Sequence, residues 1–338
     1  MIVYLLRRLF LLAFVFIALS ILAFSLGYLF PGNPLQNFSG LRYFTAEQTE
    51  ILTQYYRLND GYIQQYIAYL SRIFTGDWGL SLTSQQSLLA EIRSLMPATL
   101  ELTAYALLIS FVIGIPLGIV AAIKPEGVIS RFISGLAVTG YSIPIFWWAL
   151  LLIMIFSLGL GWLPTAGRIG VLYEVNQTSG FMLLDILMSD TQYQAEAFLD
   201  AVRHLLLPTI VLATFPTTVM VRFTRDSMLE VWEQSYIKTA RAKGLNRAQV
   251  LYRHGLRNAL LPVIRQIGLQ FSTLITLAMI TEVIFSWPGI GRWLIDSIYQ
   301  RNYPAIQAGL LVISTTVISV NMLTEILHTL FNPLARKR

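Results

Sequence analysis

The chain contains no cysteine. That excludes disulfides, thiolate nucleophiles and cysteine-ligated metal sites. Charge is scarce as well: 12% of its 338 residues are Asp, Glu, Lys or Arg, about half the share of an ordinary soluble domain. Histidine is nearly absent. His204, His254 and His328 lie far apart, and none is followed three or four positions later by a second histidine or a carboxylate, so no zinc-type motif is expected. The pattern GxxxxGK[ST] is missing and no glycine directly precedes a lysine. A phosphate-binding loop of that type is therefore excluded, and ATP chemistry has to come from another chain. No repeat of fixed period and no low-complexity segment is evident.

What the chain has in quantity is apolar sequence: 55% hydrophobic residues and a mean hydropathy of +0.62. A bilayer core needs about 20 apolar residues in helical form. Six stretches meet that requirement: Leu9–Phe30, Thr99–Ile123, Phe132–Leu158, Leu205–Phe223, Pro262–Phe285 and Ala305–Phe331. Arg7 and Arg8 precede the first in the manner of a signal peptide. Its apolar core is too long for that, and no small-x-small site follows, so it reads as an uncleaved anchor. With the N-terminus inside, 16 of the 24 Lys and Arg residues fall on the inner side and 8 on the outer. This bias places both termini in the cytoplasm. It also accounts for the net charge of +6 as membrane orientation, without nucleic acid as a partner.

The fold expected is an all-α, multi-pass membrane protein with six transmembrane helices. Residues 1–30 form the anchor and 31–96 a small helical periplasmic subdomain. Residues 97–331 form the transmembrane core, with a cytoplasmic loop at 225–261, and 332–338 a cytoplasmic tail. Within the subdomain, Thr45–Phe74 has helical apolar spacing, and Thr45 is a natural N-cap. A second outer loop, 159–204, is acidic and carries a half-apolar piece, Gly180–Met188.

The loop between spans four and five is basic and rich in helix formers. A helix from about Ser235 to Lys243 is predicted to end at Gly244, because glycine tolerates the left-handed conformation that closes helices. Ala240 and Ala242 are small enough for another protein surface to approach the backbone. Arg241, Lys243 and Arg247 have the charge to pair with acidic groups or anionic lipid headgroups. An exposed ion pair is worth roughly 0–1 kcal/mol, so shape fit through Ala240 and Gly244 is expected to outweigh any one charge. Polar residues inside spans mark candidate pathway positions: Gln266, Gln270, Thr273, Thr276 and Glu282 on span five, and Thr217 on span four. The competing reading is that such residues glue helices together. For Glu282 and Glu101, near the outer ends of their spans, snorkelling lowers the cost of the charge. Pro116, Pro144, Pro208, Pro216 and Pro304 permit kinks.

The segment Tyr236–Pro262, with Lys238-Thr239-Ala240 followed by Gly244, resembles the coupling loop of ABC-importer permeases. The glutamate of the general Glu-Ala-Ala pattern is absent and Pro262 lies farther on, as in the peptide-transporter branch. Other segments resemble that branch in order: Pro31-Gly32-Asn33-Pro34, Gly76-Asp77-Trp78-Gly79-Leu80-Ser81, Gly140 to Trp147, Phe285 to Arg292, and Asn332-Pro333. The chain is thus similar, over nearly its whole length, to B-type permeases of dipeptide and oligopeptide transporters. Within that branch it shares features with Sap-type and dipeptide-type subunits. The resemblance implies the type I importer permease fold and alternating access driven from outside. It also implies docking of an ATPase through Thr239, Ala240, Arg241, Ala242, Lys243, Gly244 and Arg247. Expected partners are a C-type permease, two ABC ATPase subunits and a periplasmic substrate-binding protein, in contact with membrane lipid. No cofactor, metal or catalytic residue is expected in the chain itself. Peptide import and putrescine export are both open as the transported class. An ion-coupled secondary transporter is the rival reading, but inverted repeats and a midplane ionisable residue are not evident. A membrane enzyme would need a clustered acid, base or metal set, and none can be named.

The charge bias generates a labelling test. A cysteine at Gln192 is expected to react with an impermeant thiol reagent added outside cells, and one at Asn246 is not. The reverse pattern overturns the topology.

Overall fold

The computed structural model describes residues 2–189 and 193–331. Gln192, the tail 332–338 and the Asn332-Pro333 match lie outside them. The chain runs through α1 (Ile2–Leu29), α2 (Pro34–Ser39), α3 (Ala46–Tyr55), α4 (Tyr62–Thr75), α5 (Leu88–Ile123), α6 (Val128–Ser142) and α7 (Ile145–Leu152), which continues as a π-helical turn to Gly159. Then follow α8 (Met182–Met188), α9 (Gln194–Glu233), α10 (Ser235–Ala242), α11 (Arg247–Val250), α12 (Leu256–Ala259), α13 (Leu261–Ile284), α14 (Ile290–Tyr299) and α15 (Tyr303–Phe331). Helices α2–α4, α8 and α14 gather at one end of the bundle, here the head. Helices α10–α12 form the opposite end, the foot.

Among the described residues, five helices are long and apolar enough to cross a membrane: α1, α5, α9, α13 and α15. Two of them extend well past their apolar middles. The 36 residues of α5 and 40 of α9 measure about 54 and 60 Å at 1.5 Å per residue, against a hydrocarbon core of about 30 Å. Apolar runs mark only the part of a helix that lipid touches, so α5 starts at Leu88, inside the stretch 31–96.

The third apolar stretch, Phe132–Leu158, is not one straight span. It is two helices bent by 103° at Ile143-Pro144. Proline disfavours helical geometry in the residue before it, and Ile143 is extended (φ −76°, ψ 123°). The other prolines behave differently. Pro97 and Pro116 lie inside a continuous α5, and Pro208 and Pro216 inside a continuous α9.

Helices α5 and α9 make the most extensive pairing in the bundle, and two glycines allow it. A Cβ at Gly114 would sit 2.6 Å from Met220 Cβ, and one at Gly118 would sit 2.6 Å from Thr224 Cβ and 2.7 Å from the Val221 carbonyl. This is a small-xxx-small contact, in which backbones approach because no side chain intervenes.

In the head, Thr45 caps α3 reciprocally with Gln48: Gln48 N donates to Thr45 Oγ1, and Thr45 N to Gln48 Oε1. Phe24, Leu35, Phe38, Tyr56 and Tyr69 form a small aromatic core that joins α1 to α2–α4.

Gly118→Leu is expected to cost about 1–3 kcal/mol by overpacking, which at this chain length lowers the thermal midpoint by roughly 2–4 °C per kcal/mol. Gly135→Leu, at a glycine with open space around it, is the control and is expected to leave the midpoint unchanged. Equal effects in a detergent melt contradict the close contact.

Candidate coupling surface and transport face

The foot is a folded block, not an open loop. After α9 the backbone of Gln234 becomes extended (ψ 144°), and α10 turns back so that Ile237, Ala240 and Val250 pack with Val231, Trp232 and Leu245. Asn246 and Gln249 cap the next turn reciprocally: Gln249 N donates to Asn246 Oδ1 at 2.8 Å and Asn246 N to Gln249 Oε1 at 3.0 Å. Ser227 Oγ donates to the Ala259 carbonyl at 2.9 Å and Asn258 Nδ2 to the Tyr236 hydroxyl at 2.9 Å. Met228 and Ala259 meet Ala122 at the end of α5. The block is therefore tied to both long helices.

Its outward face is defined by spacing. Ser235, Lys238, Thr239 and Ala242 are exposed at i, i+3, i+4 and i+7 of α10, and Lys243 and Gly244 continue that surface. Gly244 ends the helix in the left-handed region (φ +83°), with nothing within 4 Å of where a Cβ would stand. Ala240 departs from expectation. Its methyl is buried in the block's own core, so it seats α10 and offers no surface to a partner. The side chains of Arg241 and Arg247 lie outside the described residues.

At the head, the polar residues form a clamp. Glu282 is 0% exposed. It accepts from Thr99 Oγ1 at 2.5 Å and from the Arg292 backbone N–H at 2.9 Å, while Thr99 Oγ1 accepts from Ile290 N–H at 2.9 Å. A Cβ on Gly289 would lie 2.2 Å from the Glu282 carboxylate. The glycine turn before α14 is thus shaped around that carboxylate. Trp287 Nε1 donates to the Ala98 carbonyl at 3.0 Å. Beside it, Arg168 forms a buried ion pair with Glu101 and donates to the Gly180 carbonyl at 2.7 Å. Its guanidinium lies 5.6 Å from the Trp287 ring centroid. Glu101 also accepts from the Met182 and Leu183 backbone N–H groups. Neither carboxylate snorkels: both are met by donors inside the protein, which is what makes a charge tolerable there.

Around the turn that starts α8, burial pushes the Asp185 carboxyl up, but hydrogen bonds from Ser179, Thr178 and Gly180 outweigh it and hold it below its ordinary value. His204 pairs with Asp200, four residues before it, at 3.3 Å. Among the described residues no group of three or more His, Asp or Glu is placed to hold a metal.

The structure separates the pathway candidates. Gln266, Thr273 and Thr276 share one unburied face of α13 with Leu269 and Ile280, at helical spacing. Gln270 is turned inward and buried, and its Oε1 has no hydrogen-bond partner. Thr217 lines an open apolar groove between α5, α6 and α9. Glu282 faces the clamp. The clamp residues Thr99, Arg168 and Trp287 escaped sequence reasoning because their partners are distant in the chain.

A bundle of spanning helices with one broken span, a folded block between α9 and α13, and a partly polar face on α13 is the architecture of a transport permease. The comparisons agree. Residues 114–337 match the family "Binding-protein-dependent transport system inner membrane component", and residues 1–103 match the N-terminal region model of the same system. The chain is 46% identical over 330 residues to the di/tripeptide transport system permease protein DppB of Pseudomonas aeruginosa, covering 98% of this chain and 97% of that one. It is 42% identical over 337 residues to the peptide transport system permease protein SapB of Salmonella typhimurium, covering 100% and 98%. It is 41% identical over 337 residues to the putrescine export system permease protein SapB of Escherichia coli, with the same coverage. The solved MetNI methionine ABC transporter shares the fold, with a TM-score of 0.52 at 16% identity over 70% of this chain and 93% of that one. The chain belongs to the binding-protein-dependent transport system inner membrane component family, a multi-pass inner-membrane permease of the type I importer fold.

Two pairs of substitutions test the foot. Gly244→Val forces a β-branched residue into left-handed geometry at a cost of roughly 1 kcal/mol or more; it is expected to cut transport several-fold with membrane insertion intact. Gly244→Asn, which tolerates that geometry, is expected to retain most of it. Ala242→Trp, on the outward face of α10, is expected to weaken co-purification of an ATPase more than Lys243→Ala. The opposite order identifies an electrostatic contact.

Proposed function

We propose that the chain is the membrane-spanning subunit of a peptide ABC transporter of the bacterial inner membrane. The observation that carries this reading is similarity along the whole length, at 46% identity, to a di/tripeptide permease. In the proposed complex a second, C-type permease completes the pathway, and two separate ATPase chains bind and hydrolyse ATP. A periplasmic binding protein delivers substrate to the head, which includes α8 and the acidic loop around it. Both termini are cytoplasmic, so the foot faces the cytosol. The outward face of α10, with Thr239, Ala242, Lys243 and Gly244, receives the ATPase. Closure of the ATPases pushes the block, and the block moves α9 and α13, to which it is joined.

The partly polar face of α13, with Gln266, Thr273 and Thr276, lines the pathway. Thr217 lines the separate groove between α5, α6 and α9, and Gln270 supplies a buried amide behind the α13 face. A pathway for peptides suits such a surface: hydroxyls and amides exchange hydrogen bonds with a peptide backbone without selecting its side chains. Glu282 serves as a positioning residue for the head.

A second reading, putrescine export, has support from the SapB relative of that name at 41% identity. A diamine is a dication, and a pathway that carries it needs acidic residues. The exposed face of α13 has none, which favours peptides. Uptake of labelled dipeptide and efflux of labelled putrescine, measured in a deletion strain and its complement, separate the two. Dipeptide uptake restored only by complementation is the expected result. Restoration of putrescine efflux alone overturns it.

A further inference from the structure

Helix α4 lies antiparallel along α1. Tyr28 meets Tyr62 with ring centroids 5.4 Å apart, Phe24 meets Tyr66 at 5.6 Å and Phe16 meets Phe74 at 5.9 Å. The Ser20 and Tyr66 hydroxyls share a hydrogen bond of 2.7 Å. Residue numbers in these three pairs sum to 90, and Phe24 also meets Tyr69 one helical turn on, as two antiparallel helices in steady contact require. The apolar window of α1 is Leu9–Leu29, about 30 Å at 1.5 Å per residue, the thickness of one hydrocarbon core. Phe16 lies 13 residues, about 20 Å, along that helix from Leu29. The C-terminal end of α4 therefore lies beside α1 well inside its apolar window.

The sides of α4 are sorted accordingly. Gln65 and Tyr69 are buried against the rest of the head. The outward surface carries Ile63, Ile67 and Phe74, which are 73%, 59% and 75% exposed, at i, i+4 and i+11. The only charged side chain on α4, Arg72, is turned away from that stripe, with its guanidinium 3.8 Å from the Tyr56 ring centroid. An open groove runs between the helices, walled by Ile21, Phe24 and Leu29 of α1 and by Tyr62 and Ile63 of α4. It is continuous with the exposed side of α1, where Phe14, Ile17 and Ile21 project outward. At the shallow end Tyr28 and Tyr62 carry hydroxyls, the residue type that gathers at the level of lipid headgroups.

We propose that α4 is a lipid-binding element: it dips into the leaflet on the C-terminal side of α1, with Ile63, Ile67 and Phe74 against acyl chains and the α1–α4 groove holding one of them. The head is then not wholly in water. One of its helices is immersed and anchors the others at the membrane surface.

The cysteine-free sequence suits a site-directed spin-label test. Single cysteines replace Ile63, Ile67, Phe74 and, as the aqueous control, the 89% exposed Tyr43. They are measured in the assembled transporter in phosphatidylethanolamine–phosphatidylglycerol nanodiscs, with partner cysteines replaced. Accessibility to oxygen, which concentrates in lipid, is compared with accessibility to a water-soluble nickel chelate. The expected result is a lipid-like ratio at all three positions, rising from Ile63 through Ile67 to Phe74, with a water-like ratio at Tyr43. Nickel accessibility at Ile67 and Phe74 equal to that at Tyr43 overturns the proposal in favour of an aqueous helix. Shielding from both reagents overturns it in favour of a protein partner on this face. Transport activity of each labelled variant confirms that the head is folded.

Discussion

A carboxylate inside an apolar bundle must be met by donors, and at the head of this protein that requirement decides how the parts assemble. Glu282 on α13 is satisfied only when α5 supplies Thr99 and the first turn of α14 supplies the Arg292 N–H. Glu101 on α5 is satisfied only when the loop before α8 supplies Arg168. Removing one partner from such a buried pair costs on the order of 3–5 kcal/mol, because the other is left uncompensated. The two carboxylates thus fix α13, α14 and the loop through Gly180 to the same few turns of α5. Trp287 sits between them, bonded to the Ala98 carbonyl and lying against Arg168.

The foot uses a different principle. No buried ion pair is seen there among the described residues; α10 is seated by Ile237, Ala240 and Val250. A block held by apolar packing on α9 moves with α9. Through the close approach at Gly114 and Gly118, α9 in turn moves with α5. The two ends are joined by helices more than 50 Å long, the stiffness that the proposed coupling needs. The bend at Pro144 interrupts that stiffness only in the α6–α7 segment.

Much of this was legible in the sequence because it is local. The helix from Ser235, its glycine stop and the Thr45 cap follow from residues within a few positions of one another. The apolar runs located the spans because hydropathy sums over neighbours. What hydropathy cannot carry is direction, so Phe132–Leu158 read as one span although Pro144 turns it by 103°. Side-chain orientation on a short helix was also lost: smallness at Ala240 and Ala242 looked equivalent, yet one faces in and the other out. The glycine pair in α5 was masked by Pro116 between them. The clamp was invisible because Thr99 and Glu282 are 183 positions apart; the carboxylates stood out as expensive, but nothing local named their partners.

The order of residues in the clamp bears on how the protein is made. A ribosome delivers α5 first, then the loop with Arg168, then α13. Glu282 therefore enters the bilayer when Thr99 is already there, and it has no need to wait, charged and solvent-starved, for a later segment. Glu101 has the opposite history, since its partner arrives 67 residues after it. During that interval its carboxylate is best kept at the membrane surface, where the head end of α5 lies. Biogenesis thus carries a sequence of dependencies: every partner of Glu101 named above has been synthesised before α13 is. A nascent chain halted before Arg168 would hold α5 less deeply than the finished protein does.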